Sequence, residues 1–303
     1  MSLNFNVMQY FRKMSNSEEN SLDSILYSYD LQAGSYRDNY YHGYNQRAHI
    51  NNRKTTLKTT AFKKLYGKSI ADTFNKLGYS SILEVGVGEA TTLCDITKNL
   101  DNKEVVINGI DISFSRIGYG NIFLEEQRVN NVVLGVANMF ELPFKENSFD
   151  IVYTSHCIEP NTNRAKDAVA ELYRVAKHYV VLIEPSYILG NNETKKHIKD
   201  HAYCNNIIET IYSMNLDVIE HRLFDIGTYD NQSSIIIIEN KTNKKSETTL
   251  PVTGWCCPVC TTQLTQHNGH YFCQECFLIY PVIKNIPCLL RENGILGSKY
   301  LNI

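Results

Sequence analysis

Two groups of residues in this 303-residue chain have the types and spacing to do chemistry. Near the C-terminus, Cys257-Pro258-Val259-Cys260 and Cys273-Gln274-Glu275-Cys276 are two CxxC pairs separated by twelve residues. Each pair can grip a metal ion from a tight knuckle, and four thiolates make a closed tetrahedral site suited to structural zinc. Cys256 adjoins Cys257 but lacks the CxxC spacing, so the expected ligands are Cys257, Cys260, Cys273 and Cys276. The other group begins at Glu84-Val85-Gly86-Val87-Gly88-Glu89-Ala90. Glycine at Gly86 and Gly88 lets backbone approach a ligand that a Cβ would hold away. The run ends a strand in the carboxylate of Glu84 and has Ala90 where a third glycine would stand. That suits a ligand bearing an ammonium and a sulfonium better than one bearing a pyrophosphate, and it counts against a nicotinamide dehydrogenase. Asp111 closes the next apolar run, 23 residues beyond Gly88, about where a carboxylate accepts from both hydroxyls of a ribose.

These residues need a scaffold that brings strand ends together. Strand candidates recur at Ser81 to Val85, Val105 to Ile110, Val132 to Val136, Asp150 to Thr154, Tyr179 to Ile183, Leu216 to Leu223 and Ser234 to Glu239. Helical patterns lie between them, at Thr91 to Asn99, Arg164 to Lys177 and Thr194 to Ser213. Another precedes them from Ala61 to Leu77, where Phe62, Leu65, Tyr66, Ile70, Phe74 and Leu77 share one face. Strands separated by helices of this length pair in parallel, giving a three-layer α/β fold. In such a doubly wound sheet the ligand crevice opens where strand order reverses. The first and fourth strand ends then face one ligand. The fourth ends in Thr154-Ser155-His156-Cys157-Ile158-Glu159-Pro160-Asn161, which puts Ser155 beside that ligand. His156 is the first choice for a base, because its pKa lies near working pH, with Glu159 and Glu184 next. His197, His201 and His221 with Glu159 are a weaker combination for a divalent metal.

The combination of the glycine loop after Glu84, Asp111, the segment Ala137-Asn138-Met139-Phe140-Glu141-Leu142-Pro143-Phe144 and the strand Ser148-Phe149-Asp150-Ile151-Val152 resembles class I S-adenosylmethionine-dependent methyltransferases, over about residues 61 to 240. The resemblance implies a Rossmann-like seven-stranded sheet with its last strand antiparallel. It places Glu84 and Gly86 near the methionine moiety, Asp111 on the ribose, and Asn138 with Met139 along the adenine. Asn138 departs from the family, which commonly has Asp there; an amide oxygen can still accept a hydrogen bond. The C-terminal text from about residue 252 to 292 resembles the small zinc-ribbon subunit that partners RNA and translation-factor methyltransferases. By that resemblance it covers an apolar face of the catalytic domain, here in cis.

The expected organisation is a polar, tyrosine-rich cap or lid over residues 1–60, a methyltransferase domain over 61–240, a linker over 241–251 (Lys241 to Thr249 is polar and charged) and a ribbon over 252–303. Lys and Arg number 30 against 32 Asp and Glu, no footprint for gripping a polyanion by charge. A start without an apolar run after cations, and no stretch near ~18 apolar residues, lead to the expectation of a soluble cytoplasmic protein. Five of nine cysteines cluster within 21 positions, as for a metal site in a reducing compartment; Cys94, Cys157, Cys204 and Cys288 read as small core residues. The sequence favours O-methylation of a polar small molecule, a sugar or glycan hydroxyl foremost, since the cap tyrosines could stack on sugar rings. The TSHC strand end favours oxygen, because enzymes that methylate adenine or glutamine nitrogens have an Asn/Asp-Pro-Pro-aromatic motif there. Methylation of tRNA, rRNA or a translation factor, and a non-catalytic scaffold that binds S-adenosylmethionine, are the alternatives.

Overall fold

The computed structural model describes residues 6–161, 163–241 and 254–302. Three helices come first, α1 (Val7–Ser15), α2 (Leu22–Leu31) and α3 (Ser35–His42), followed by a hairpin of β1 (Asn45–Ile50) and β2 (Arg53–Lys58). Asn6 and Ser21 start the first two helices by accepting the Gln9 and Ser24 backbone N–H groups. The hairpin is an element for which the polar, tyrosine-rich character of this region gives no sign. Its signal is the pair Asn51-Asn52, both in left-handed backbone at φ 49° and 61°, which closes a two-residue turn. The strands themselves are mostly polar, which hides them from a search for apolar runs.

The central layer then unfolds as α4 (Thr59–Leu77), β3 (Ser81–Val85), α5 (Thr91–Asn99), β4 (Val106–Asp111), α6 (Phe114–Glu126), β5 (Val132–Val136) and β6 (Phe149–Ser155). It continues through α7 (Ala165–Val175), β7 (Ala176–Pro185), α8 (Asn192–Asp200), α9 (Ile207–Ser213), β8 (Asp217–Leu223), β9 (Ile226–Thr228) and β10 (Ser233–Glu239). Seven strands form one sheet in the order β5-β4-β3-β6-β7-β10-β8, with β10 antiparallel to both neighbours. This is the Rossmann-like methyltransferase sheet that the resemblance implied. All five residues of β3 are buried, as expected of a strand with helices on both faces. The helix expected from Thr194 to Ser213 is two helices. Ala202 takes left-handed backbone at φ 53° between them, and Cys204 N–H donates to the Glu159 carbonyl at 2.7 Å. The hairpin joins this layer through β9, which pairs with β1 in a separate three-stranded sheet.

The C-terminal part is a small β unit: β11 (Thr265–His267), β12 (His270–Phe272), β13 (Leu278–Tyr280), β14 (Val282–Ile283), β15 (Ile286–Pro287) and β16 (Ile295–Leu296). It docks against the free edge of β5. Leu289 N–H donates to the Val136 carbonyl at 2.8 Å, Cys256 N–H to the Pro143 carbonyl at 2.8 Å, and Arg291 pairs with Glu141 at 2.7 Å. Trp255 lies on Phe144 with ring centroids 5.1 Å apart and covers Gly135, where a Cβ would stand 2.7 Å from the indole. Cys288 is buried in this contact and Cys94 and Cys204 are buried elsewhere, while Cys157 is only half-buried. The expected linker lies, beyond Lys241, outside the described residues. Among those residues no helix is long and apolar enough to cross a membrane.

Trp255 is the chain's one tryptophan, so its emission reads this docking directly. Gly135→Leu is expected to push the indole into water, red-shifting its fluorescence and lowering thermal stability by about 2 kcal/mol through overpacking; an unchanged emission maximum would remove Gly135 from the interface.

Candidate functional site

The sequence folds so that β3 pairs in parallel with β4 on one side and β6 on the other, which is the reversal point of the sheet. A cleft of about 360 Å³ opens there, ample for a nucleoside-sized ligand. Of the residues singled out from sequence, Glu84, Gly86, Gly88, Asp111, Asn138, Met139, Ser155, His156 and Glu159 all line it. Glu184 does not.

Gly86 has φ 82°, and a Cβ there would lie 2.2 Å from the Cys157 sulfur, so both conformation and space demand glycine. The loop is held from below: Gly86 and Val87 N–H donate to the Ile110 carbonyl at 2.8 and 2.9 Å. Asp111 accepts from Gly88 N–H and from Ser113 N–H, each at 2.9 Å, so its carboxylate ties the glycine loop to the start of α6. Glu84 is buried at the strand end, and its Oε2 has no hydrogen-bond partner among the described residues. Burial pushes its pKa up to about 8. An orphaned acceptor at the floor of a cleft fits a cationic ligand group. Asn138 Oδ1 accepts from Phe140 N–H at 3.1 Å, an Asx turn that fixes the segment along the cleft wall.

The turn after β6 carries the titratable groups. His156 has left-handed backbone at φ 59°, an uncommon state for a non-glycine residue that the surroundings must enforce. Glu184 enforces it, accepting from Cys157 and Ile158 N–H at 3.0 and 3.1 Å and from Glu159 N–H at 3.3 Å. The expectation that Glu184 acts as a base is thereby corrected: its carboxylate is taken up by backbone N–H groups of the turn, and the residue does not line the cleft. His156 Nδ1 lies 3.2 Å from Glu159 Oε2 and Nε2 lies 3.0 Å from Ser233 Oγ. Burial works against a charged His156, but the Glu159 carboxylate, with a smaller contribution from Glu184, offsets it and the imidazole pKa is raised. The divalent-metal combination of His197, His201 and His221 with Glu159 is not assembled. The one group of clustered metal-binding side chains among the described residues is Cys257, Cys260, Cys273 and Cys276, whose sulfurs all lie within 4.8 Å of one another.

Sequence reasoning missed the roof. Glu89 accepts from Gly34, Tyr36 and Arg37 N–H at 3.0, 3.3 and 2.7 Å, capping α3 from the glycine loop itself. Asp30 accepts from the hydroxyls of Ser113 and Ser115 at 2.6 and 3.0 Å. Arg116 donates to the Tyr29 carbonyl at 3.0 Å and packs on the rings of Tyr29 and Tyr36, 4.8 and 4.5 Å from their centroids. Lys63 lies 5.0 Å from the Tyr36 centroid and bonds Thr91 Oγ1 at 2.9 Å; burial pushes its pKa down to about 8. Cations therefore occupy the faces of Tyr36. At Tyr36 the expectation that the cap tyrosines stack on a sugar loses its basis. No local pattern announces these contacts, since Lys63 sits among ordinary polar helix positions and Arg116 carries no motif.

A family model described as a methyltransferase domain matches residues 82–178. This is an S-adenosylmethionine-dependent methyltransferase domain. Among solved structures, the chain resembles the [4+2]-cyclase SpnF at TM-score 0.58 and 13% identity, covering 73% of this chain and 97% of that one. A geranyl diphosphate C-methyltransferase from Streptomyces coelicolor A3(2) gives TM-score 0.50 at 11% identity, over 72% and 96% of the two chains. A putative sarcosine dimethylglycine methyltransferase from Galdieria sulphuraria gives 0.50 at 8%, over 69% and 98%. At these identities the methyltransferase domain shares a fold with them.

Glu84 binds its proton more tightly in the folded chain, near 8, than at its ordinary 4.5. The stability this supplies is complete below about pH 4.5 and lost as pH rises through 8. Glu84→Gln is expected to raise Tm by about 3 °C at pH 9 and to leave it unchanged near pH 4.5; parallel Tm-against-pH curves would show that Glu84 stays ionised.

Proposed function

We propose that this methyltransferase domain methylates a hydroxyl of a polar small molecule held under the N-terminal cap, with His156 as the base and a zinc ion in the four-cysteine cluster. The observation that carries the reading is the convergence of Glu84, Asp111 and the Glu159–His156 pair on one cleft. S-adenosylmethionine supplies an activated methyl group on a positively charged sulfur. Glu84, Gly86 and Ser155 are suited to its methionine end, Asp111 to its ribose, and Asn138 with Met139 to its adenine. In the neutral imidazole Glu159 can only accept, so Nδ1 carries the proton and Nε2 is left with its lone pair. Nε2 can then take the acceptor's proton, and Glu159 stabilises the cation that forms.

The size of the acceptor follows from the roof. Tyr29, Tyr36, Phe62 and Tyr66 line the cleft beside the strand ends, and a volume of about 360 Å³, shared with a cofactor, favours a small molecule over a folded RNA or protein. The structural relatives named for geranyl diphosphate and sarcosine dimethylglycine are in keeping with this. The ribbon keeps methylation of tRNA, rRNA or a translation factor as the second reading, because its sequence resembles the partner subunit of such enzymes.

Zinc fits the four thiols by donor type and by their mutual spacing, and a closed set of four sulfurs is a structural site with no open position for chemistry. The site is expected to hold one zinc per chain, and stripping it with a chelator to unfold the ribbon and red-shift Trp255; no zinc by elemental analysis would sink this part of the proposal. For the cofactor, Asp111→Ala is expected to weaken S-adenosylhomocysteine binding by about 2 kcal/mol, roughly thirtyfold by calorimetry. Incubation with methyl-labelled S-adenosylmethionine and fractionated cell extract tests the acceptor: label in a small-molecule fraction supports the proposal, and label in RNA or protein alone overturns it in favour of the second reading.

A further inference from the structure

Ser233 stands at the start of β10, 1% exposed, with its hydroxyl 3.0 Å from His156 Nε2. It does not line the cleft, and no reading so far gives it a task. On the other side of the same ring, Glu159 Oε2 stands 3.2 Å from Nδ1. The three side chains form a hydroxyl, imidazole and carboxylate in line, drawn from two different elements of the fold. Because a carboxylate accepts and cannot donate, the neutral ring has its proton on Nδ1, and the Ser233 hydroxyl must be the donor to Nε2. Both nitrogens of His156 are thus occupied by the protein itself.

An imidazole held at one nitrogen alone can swing about its Cβ–Cγ bond; one held at both has a single ring plane. The backbone adds to this, since His156 N–H donates to the Ile183 carbonyl at 3.1 Å while Glu184 gathers the three N–H groups that follow. β10 reaches the site because it pairs antiparallel with β7, which sets Ser233 opposite Pro185, next to Glu184 and at the end of the strand that follows β6 in the sheet.

We propose that Ser233 is a positioning residue: its hydroxyl fixes the ring plane of His156 and keeps the lone pair on Nε2 until the acceptor's hydroxyl replaces it as the donor there. The step balances simply. The acceptor oxygen forms its bond to the methyl carbon as the carbon–sulfur bond breaks with its electron pair going to sulfur, and the acceptor's proton goes to Nε2. Ser233 gains and loses nothing in that exchange; its hydroxyl hydrogen rotates off Nε2, and its oxygen then accepts from the Nε2–H so formed. The inference rests on His156 being the base. The charged and titratable groups around the ring are Glu159 from its own turn, Glu184 from β7 and His197 from α8, all of which would remain in a Ser233 variant.

The test reads the ring and the reaction separately. Nitrogen-15 resonances of His156, assigned against His156→Asn, would be recorded for the wild type, Ser233→Ala, Ser233→Thr and Glu159→Gln. Label transfer to the accepting extract fraction would be followed against pH, and S-adenosylhomocysteine affinity would confirm that each variant is folded. In Ser233→Ala the Nε2 resonance is expected to move to that of a nitrogen without a protein donor, and transfer to slow about tenfold with its pH midpoint displaced, at unchanged affinity. Ser233→Thr is expected to restore both, and Glu159→Gln to admit the opposite tautomer. An unmoved Nε2 resonance in Ser233→Ala overturns the proposal, as does slowed transfer that merely follows a loss of affinity. A moved resonance with unaltered transfer supports the holding role and instead refutes His156 as the base.

Discussion

The parallel pairing of β3 with β4 on one flank and β6 on the other is the constraint from which the site follows. Strand polarity forces the carboxyl ends of all three to one edge of the sheet, while the opposite directions of chain travel leave a gap between the helices above them. Asp111 and Ser155 are the last residues of their strands and Glu84 the last but one of its own, so all three reach the cleft without needing a long side chain. The glycine loop then serves the gap in two ways: it turns the chain away sharply, and at Gly86 it makes room for the Cys157 sulfur across the cleft.

Most of this was legible in sequence because buried parallel strands are nearly continuous apolar runs whose ends are marked by the first charged residue. Glu84 and Asp111 stood out for that reason, and the four ribbon cysteines by spacing alone. What sequence hid was partnership across long separations. Glu184 looks like a spare acid at a strand end, and nothing local says that three backbone N–H groups of another turn use it up. Ser233 is one of two serines at the head of an apolar strand. The hairpin of β1 and β2 escaped notice because its strands earn their place by hydrogen bonding to β9 more than by apolar content.

The roof shows how a polar, tyrosine-rich segment can be held over a cleft without a large apolar face. Glu89 and Asp30 are carboxylates placed against helix starts, where unpaired N–H groups and the helix dipole favour negative charge. Arg116 and Lys63, both cations withdrawn from water, meet aromatic rings in place of carboxylates. Glu89, Arg116 and Lys63 line the cleft and also hold the cap, which joins the order of the N-terminal helices to the order of the glycine loop.

At the far side of the sheet, β5 is an edge strand whose outer carbonyls and N–H groups have no neighbour within the seven-stranded layer. Unprotected edges of this kind pair readily with other chains. The Leu289–Val136 bond and the Trp255 indole over Gly135 put the C-terminal unit across that edge. The cysteine-rich unit thus occupies, at Val136, the edge along which a further strand would otherwise add.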